Sequence, residues 1–271
     1  DIELKDIDGI AVTYRPGLIG SLLVGVSFTK GLAYSLGKPL AGVDHIIAHL
    51  YAPHLENDIE YPYLGLIISG GHTIIAKVEK FNSFTVLGTT IDDACGEAFD
   101  KVAKYYKLGY PGGVAIDKLA KKGDQEAFRF PKPSLHKGRH TYDVSYSGLK
   151  TAVINQLDQF WNGVSEKSAE NIAASFQKTA IDIVAERVLR AARDMQLKRI
   201  VVGGGVAANS YLRRVLNGFK DYEVIFPSLL YCTDNGAMVA GIGYHYFKAG
   251  ITSPLSLNAE ARVPQFRNLY P

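Results

Sequence analysis

Residues 63–91 read YLGLIISGGHTIIAKVEKFNSFTVLGTTI, and the way this stretch divides decides the fold. Three runs rich in aliphatic, β-branched and aromatic residues, Tyr63–Ser69, Thr73–Val78 and Phe84–Thr89, have strand character. Gly70-Gly71 and Lys80–Ser83 join them, which predicts a β-meander. Elsewhere strands and helices alternate. Gly9–Tyr14 reads as a buried strand, Gly20–Gly37 as a long helix of apolar and small residues, Pro39–Val43 as a short strand and His45–Leu55 as a helix. Further helices are expected over 92–108, after Gly112-Gly113, and over 148–161, 168–195, 209–218 and 234–248, with strands at 199–202 and 223–226. A meander inside an alternating order predicts a two-lobed α/β protein with mixed sheets, not a plain doubly wound one. The expected division is 1–62 for the remainder of a first lobe, 63–200 for a second lobe with inserted helices, and 201–271 for a C-terminal part closing the cleft.

The chain has 271 residues, 47% hydrophobic and 21% charged, which excludes a disordered chain. Its 27 glycines exceed the usual ~7% and cluster in turns. A net charge of +3 permits a nucleic-acid partner without marking a footprint for one. Cys95 and Cys232 lie far apart with no CxxC, the usage of a reduced cytosolic protein. The acidic start carries no signal peptide, and no stretch approaches the ~18 apolar residues of a membrane span. The first residue is Asp1, not Met, so some upstream sequence is expected to be absent.

Five segments can carry chemistry. In His45-Ile-Ile-Ala-His49 four helical residues advance roughly 400°, placing both imidazoles on one face. That spacing suits a shared metal ion, or two unrelated histidines; His54 lies on the opposite side. Ile46 stands where a zincin protease has its glutamate base, which weakens a peptidase reading. The turn Ser69-Gly70-Gly71-His72 is either an anion nest or a simple hairpin. Gly203-Gly204-Gly205, followed by Asn209, leads a strand into a helix without a Rossmann or P-loop pattern; Asn209 either caps the helix or meets a ligand. Asp234 stands at a helix start, an ordinary N-cap unless the fold brings it to the histidines. Asp92, Asp93, Glu97, Asp100 and Asp117 are surface carboxylates, Glu97 pairing with Lys101, or else Asp100 and Asp117 bind the hydroxyls of a ribose.

Taken together, PGLIGSLLVG (16–25), HIIAH (45–49), ISGGHT (68–73), IDDACGEAFDK (91–101), YPGG (110–113), SYSGLKTA (145–152), GGGVAAN (203–209) and CTDNGAM (232–238) resemble the tRNA threonylcarbamoyltransferase family, TsaD. Each motif is short; eight in family order over nearly the whole chain are specific, and their forms resemble the bacterial branch. The resemblance implies an actin-like, sugar-kinase-like fold with the ligand between two lobes. It implies that His45, His49 and Asp234 ligate iron or zinc. It implies that Ile67, Ile68, Ser69, Gly70, Gly71, Asp100, Gly113, Asp117 and Asn209 contact the substrate. The family's first strand and turn have no counterpart here, so the first lobe is expected to lack its N-terminal strands. Arg15 stands where the family often has Gly and is expected to place a charge near the cleft.

The implied reaction moves a threonylcarbamoyl group from threonylcarbamoyl-AMP to N6 of the adenosine beside the anticodon, in tRNAs reading codons that begin with A. Glu97 and His72 are the candidate bases. Phosphate contacts are expected from Lys132, Lys137 and Arg139 in the basic loop 132–140, and from Arg262 and Arg267. The implied partners are tRNA, a paralogous TsaB-type subunit and a TsaE-type small ATPase, with no membrane, in the cytoplasm. The competing readings are a non-catalytic paralogue, in which the paired histidines are missing, and an actin-like ATPase or metallopeptidase.

Overall fold

Pro16 and Gly17 end the first strand, β1 (Ile10–Arg15), and release the chain into α1 (Ile19–Leu36). Gly37 stops that helix in the left-handed region, at φ 61°, and β2 (Leu40–Asp44) follows, parallel to β1. The two strands and their crossover helix form the first sheet layer. Leu22, Val26, Thr29 and Ala33, spaced at helical period, are the buried face of α1. Val24 and Phe28 on the other side are exposed. This 18-residue helix is long and apolar enough to cross a membrane by length and composition alone. Lys30 and the interspersed Ser, Thr and Gly break the apolar run but leave its average high. The helix nonetheless packs on β1 as a crossover.

The helix α2 (His45–Tyr51) follows β2 without a loop and passes into a 3₁₀ turn, Ala52–Leu55. The meander then forms as expected: β3 (Tyr63–Ile68), β4 (Thr73–Lys80) and β5 (Ser83–Thr89), antiparallel to one another. After it come α3 (Cys95–Tyr105), α4 (Gly112–Ala120), α5 (Ser147–Ile154) and the long α6 (Ala169–Asp194). The chain closes with β6 (Arg199–Gly203), α7 (Ser210–Asn217), β7 (Glu223–Ile225), the short α8 (Leu229–Cys232) and α9 (Gly236–Lys248). The computed structural model describes residues 3–133, 135, 140–159, 163 and 165–263.

The second sheet has the order β5-β4-β3-β6-β7, with β6 parallel to β3 and β7 parallel to β6. This makes it mixed. Strand β3 lies at its centre and is buried at all six residues, so its sequence reads as a continuous apolar run and not as an alternation. Leu64, Leu66 and Ile68 face one core with Phe99 of α3 and Phe176 of α6. Tyr63 and Ile67 face the other, with Ile46 and Leu50 of α2. The division expected at residue 201 falls inside β6, because that strand pairs with β3. α9 returns to pack on β1, β2 and α2.

The helix expected from Asp92 begins only at Cys95. The Asp92 carboxylate instead accepts hydrogen bonds from the backbone of Tyr146 (2.8 Å) and Ser147 (3.2 Å) and from the hydroxyls of Ser145 and Ser147 (2.5 and 2.7 Å). These bonds overcome the effect of burial and hold its pKa below the ordinary carboxylate value. Asp92 therefore anchors the start of α5.

Candidate functional site

Asp44, the last residue of β2, is the N-cap of α2 and accepts the Ile46 N–H at 2.9 Å. Arg15 at the end of β1 donates to the same carboxylate at 3.1 Å and to Glu260 at 3.2 Å. The charge expected near the cleft is thus balanced by two carboxylates. Burial raises the Asp44 pKa against the pull of the Ile46 amide and Arg15.

The i,i+4 spacing puts His45 and His49 edge to face, with ring centroids 4.5 Å apart. Asp234, in the turn between α8 and α9, joins them. Its Oδ1 stands 3.1 Å from His49 Nε2 and 3.4 Å from His45 Nε2. These are the separations that donors ~2.0–2.1 Å from a tetrahedral ion require, roughly 3.3 Å. His49 is 1% exposed and Asp234 78%, so the group is buried on one side and open on the other. Nδ1 of His49 is buried without a hydrogen-bond partner among the described residues, an arrangement that costs about 1–3 kcal/mol. Burial, with His49 as a like-charged neighbour, lowers the His45 pKa to about 4, so its nitrogen is free to act as a ligand near neutral pH. The hydrogen bond from His49 lowers the pKa of Asp234 and keeps it anionic. Two imidazoles and a carboxylate are a donor set that suits a divalent transition-metal ion.

The glycines of β6 make this packing possible. A Cβ at Gly203 would stand 2.2 Å from the His49 carbonyl oxygen. Gly204 takes φ 97°, a conformation in which a larger residue is strained, and its Cβ would meet the Ile68 carbonyl at 2.5 Å. Helix α2 is thereby seated against the end of β6, and the turn that follows β6 against the end of β3.

A cleft of about 520 Å³ opens beside the triad. Gly70, Asp100, Gly113, Asp117 and Asn209, five of the residues singled out in the sequence, line it. Ile67 and Ile68 are fully buried behind it. Ser69 closes the turn, its N–H donating to the His72 carbonyl at 2.8 Å and its hydroxyl accepting the His72 N–H at 3.1 Å, while Gly71 stays open. Asp100 accepts the Gly112 N–H at 2.8 Å. Asp117 accepts both the N–H and the hydroxyl of Ser210, at 3.1 and 2.7 Å. Asn209 caps α7 through the Leu212 N–H at 2.9 Å and donates to the buried Gln177 at 2.8 Å. Capping and cleft lining are therefore combined in one residue. Sequence reading did not single out Gln177, Lys118, Leu229 or Thr233; a glutamine inside the apolar run of α6 was the one signal available.

Of the candidate bases, Glu97 is held by Lys101 at 2.8 Å and does not line this cleft. His72 lies near the triad, its pKa lowered by burial and by His49. His54 stays apart, bonded to Tyr63 at 3.1 Å. In the basic loop, Lys132 is engaged by Glu186 and Asp182 of α6 instead of standing free. Lys137, Arg139 and Arg267 lie outside the described residues, and Arg262 is exposed.

A family model described as TsaD, tRNA N6-adenosine threonylcarbamoyltransferase, matches residues 1–241. The chain belongs to the TsaD family. Relatives bearing that name are 63% identical over 265 residues in Treponema denticola, covering 98% of this chain and 78% of the relative. In Treponema pallidum the identity is 53%, covering 98% and 75%; in Borreliella afzelii it is 50% over 269 residues, covering 99% and 77%. Among solved structures, HypF from T. kodakarensis superposes with TM-score 0.71 at 15% identity, over 93% of this chain and 42% of that one. A full-length HypF in a phosphate- and nucleotide-bound form gives 0.63 at 15%, over 82% and 46%. These likenesses show the fold, the actin-like and sugar-kinase-like α/β architecture with mixed sheets. As a TsaD protein, the chain is an acyltransferase of tRNA modification, placing threonylcarbamoyl on N6 of an adenosine.

Proposed function

We propose that the cleft holds threonylcarbamoyl-AMP while the adenosine beside the anticodon enters from its open side, in tRNAs reading codons that begin with A. The observation that carries this reading is the continuity of triad and cleft: Thr233 lines the cleft and Asp234 follows it directly. In the step, the N6 amine attacks the carbamoyl carbonyl carbon. A C–N bond forms, the bond from that carbon to the phosphate oxygen breaks, the amine gives up a proton and AMP leaves.

The residues divide this work. At Gly70, Gly113 and Gly205 no side chain separates the backbone from the ligand. Asp100 and Asp117, held by Gly112 and Ser210, present fixed carboxylate oxygens to ribose hydroxyls. Asn209, locked by Gln177, sets the opposite wall. Ile67, Ile68, Ser69 and Gly71 fix the strand end from which Gly70 projects. An aromatic amine is a weak nucleophile, so rigid placement of donor and acceptor is the main contribution expected of these groups. His45, His49 and Asp234 would hold one divalent ion, Fe²⁺ or Zn²⁺, which would supply Lewis-acid polarisation of the donor carbonyl.

A TsaB-type paralogue and a TsaE-type ATPase complete the system in this reading. Two buried free cysteines fit a reducing cytoplasm. The test combines adenylate donor, unmodified tRNA and the partner proteins. AMP release matched by modified tRNA supports the reading; full activity in His45→Ala would instead favour a non-catalytic scaffold.

A further inference from the structure

A second cavity, of about 440 Å³, lies between α3 and the turn 107–110. Asp100 lines both this cavity and the nucleotide cleft, so the two share a wall. On its rim Lys101 is engaged by Asp93 and Glu97. Lys104 and Lys107 are exposed and make no ion pair among the described residues. Tyr110 is 88% exposed and has no ring or hydrogen-bond partner among them. Its neighbour Pro111 already lines the cleft. A large aromatic side chain in water beside a ligand-binding cleft, flanked by two unpaired cations, matches the chemistry of single-stranded RNA: a ring to stack on a base and charges for the adjoining phosphates.

We infer that this rim is the seat of the anticodon loop, with Tyr110 stacking on a base next to the adenosine that enters the cleft and Lys104 and Lys107 meeting phosphates. The inference rests on the tRNA-transferase reading and deepens it. A single-stranded loop fits this surface, because an exposed ring needs an unstacked base to pair with, and a duplex offers none. Glu97, the other carboxylate of the rim besides Asp100, is paired with Lys101, so that Lys104 and Lys107 are the rim cations without a carboxylate partner among the described residues.

The experiment titrates the full chain into a fluorescent anticodon stem-loop carrying adenosine beside the anticodon, at several salt concentrations. Tyr110→Ala is expected to weaken binding about ten-fold and Tyr110→Phe to leave it at the wild-type value, as stacking requires. Lys104→Ala with Lys107→Ala is expected to flatten the log–log salt slope by about 1.4, two phosphate contacts to a single strand. Adenine nucleotide binding stays at the wild-type value in all three variants. Wild-type affinity and slope in Tyr110→Ala and in the lysine pair would overturn the inference alone. Equal losses in Tyr110→Ala and Tyr110→Phe would overturn stacking. Failure of the wild type to bind the stem-loop would instead count against the tRNA reading itself.

Discussion

His49 Nε2 lies 3.1 Å from Oδ1 of Asp234, a residue 185 positions further along the chain. Nothing local requires this contact. The carboxylate is brought there by the return of α9 onto α2, and the result is a three-donor group with one buried and one open side. Replacing either His49 or Asp234 by Ala is expected to lower affinity for Zn²⁺ or Fe²⁺ by more than the ~10–100-fold typical of losing a group that only supports a ligand. Metal content of the purified variants and competition with a chelator measure it; wild-type metal content in both would remove the site.

Gly203→Ala tests the seating of α2. The added methyl group would meet the His49 carbonyl at 2.2 Å, a backbone atom that cannot swing aside. Overpacking of this kind costs about 1–3 kcal/mol. Urea unfolding is expected to show that loss, and metal affinity to fall with it because His49 itself must move.

The Arg15–Asp44 pair controls the entry to the same helix. Asp44 is 4% exposed, and Arg15→Ala leaves its carboxylate buried with one charged partner gone. A destabilisation of roughly 3 kcal/mol is expected. Removing both partners together, in Arg15→Leu with Asp44→Asn, is expected to cost less than the single change, because no uncompensated buried charge stays behind and Glu260 is exposed to water. Denaturation of the two variants side by side decides the matter.

Asn209→Ala removes a helix cap and the partner of the buried Gln177 amide. About 1–2 kcal/mol of stability is expected to be lost. Asn209→Asp keeps the capping oxygen and is expected to retain more of it. Thermal melts of both variants separate the cap from the Gln177 contact.

His54 stacks between Tyr51 and Tyr61, and burial, reinforced by His245, lowers its pKa from 6.5 to about 4. Between those values the unfolded chain binds a proton that the folded one refuses. Its contribution to stability is therefore whole above pH 6.5 and declines as the pH falls toward 4. The loss from about pH 7 to about pH 5 is at most about 2 kcal/mol, and His54→Gln is expected to flatten that part of the profile. Equal slopes in both proteins would show that His54 does not titrate in this range.

Local patterns carried much of this fold. The Gly70-Gly71 turn between two strand-like runs predicted a meander while leaving open whether the turn also served an anion, and the four-residue spacing of His45 and His49 predicted a shared face. What sequence could not supply was whatever depends on distant partners. Asp234 reads as an N-cap until α9 is placed, and Asp92 reads as part of a helix until Ser145–Ser147 arrive to occupy its carboxylate. Gln177 is hidden within α6 because its meaning lies in Asn209, 32 residues away.

Four of the residues around the larger cleft, Gly70, Gly96, Gly113 and Gly205, have no side chain to delete. An alanine scan, which finds binding residues by subtraction, is blind to them. At Gly70, Gly113 and Gly205 an added methyl group would touch no protein atom within 4 Å, so it intrudes only on whatever the cavity receives. Progressively larger residues at these three positions would trace the outline of the bound molecule, as a cast records the object pressed into it.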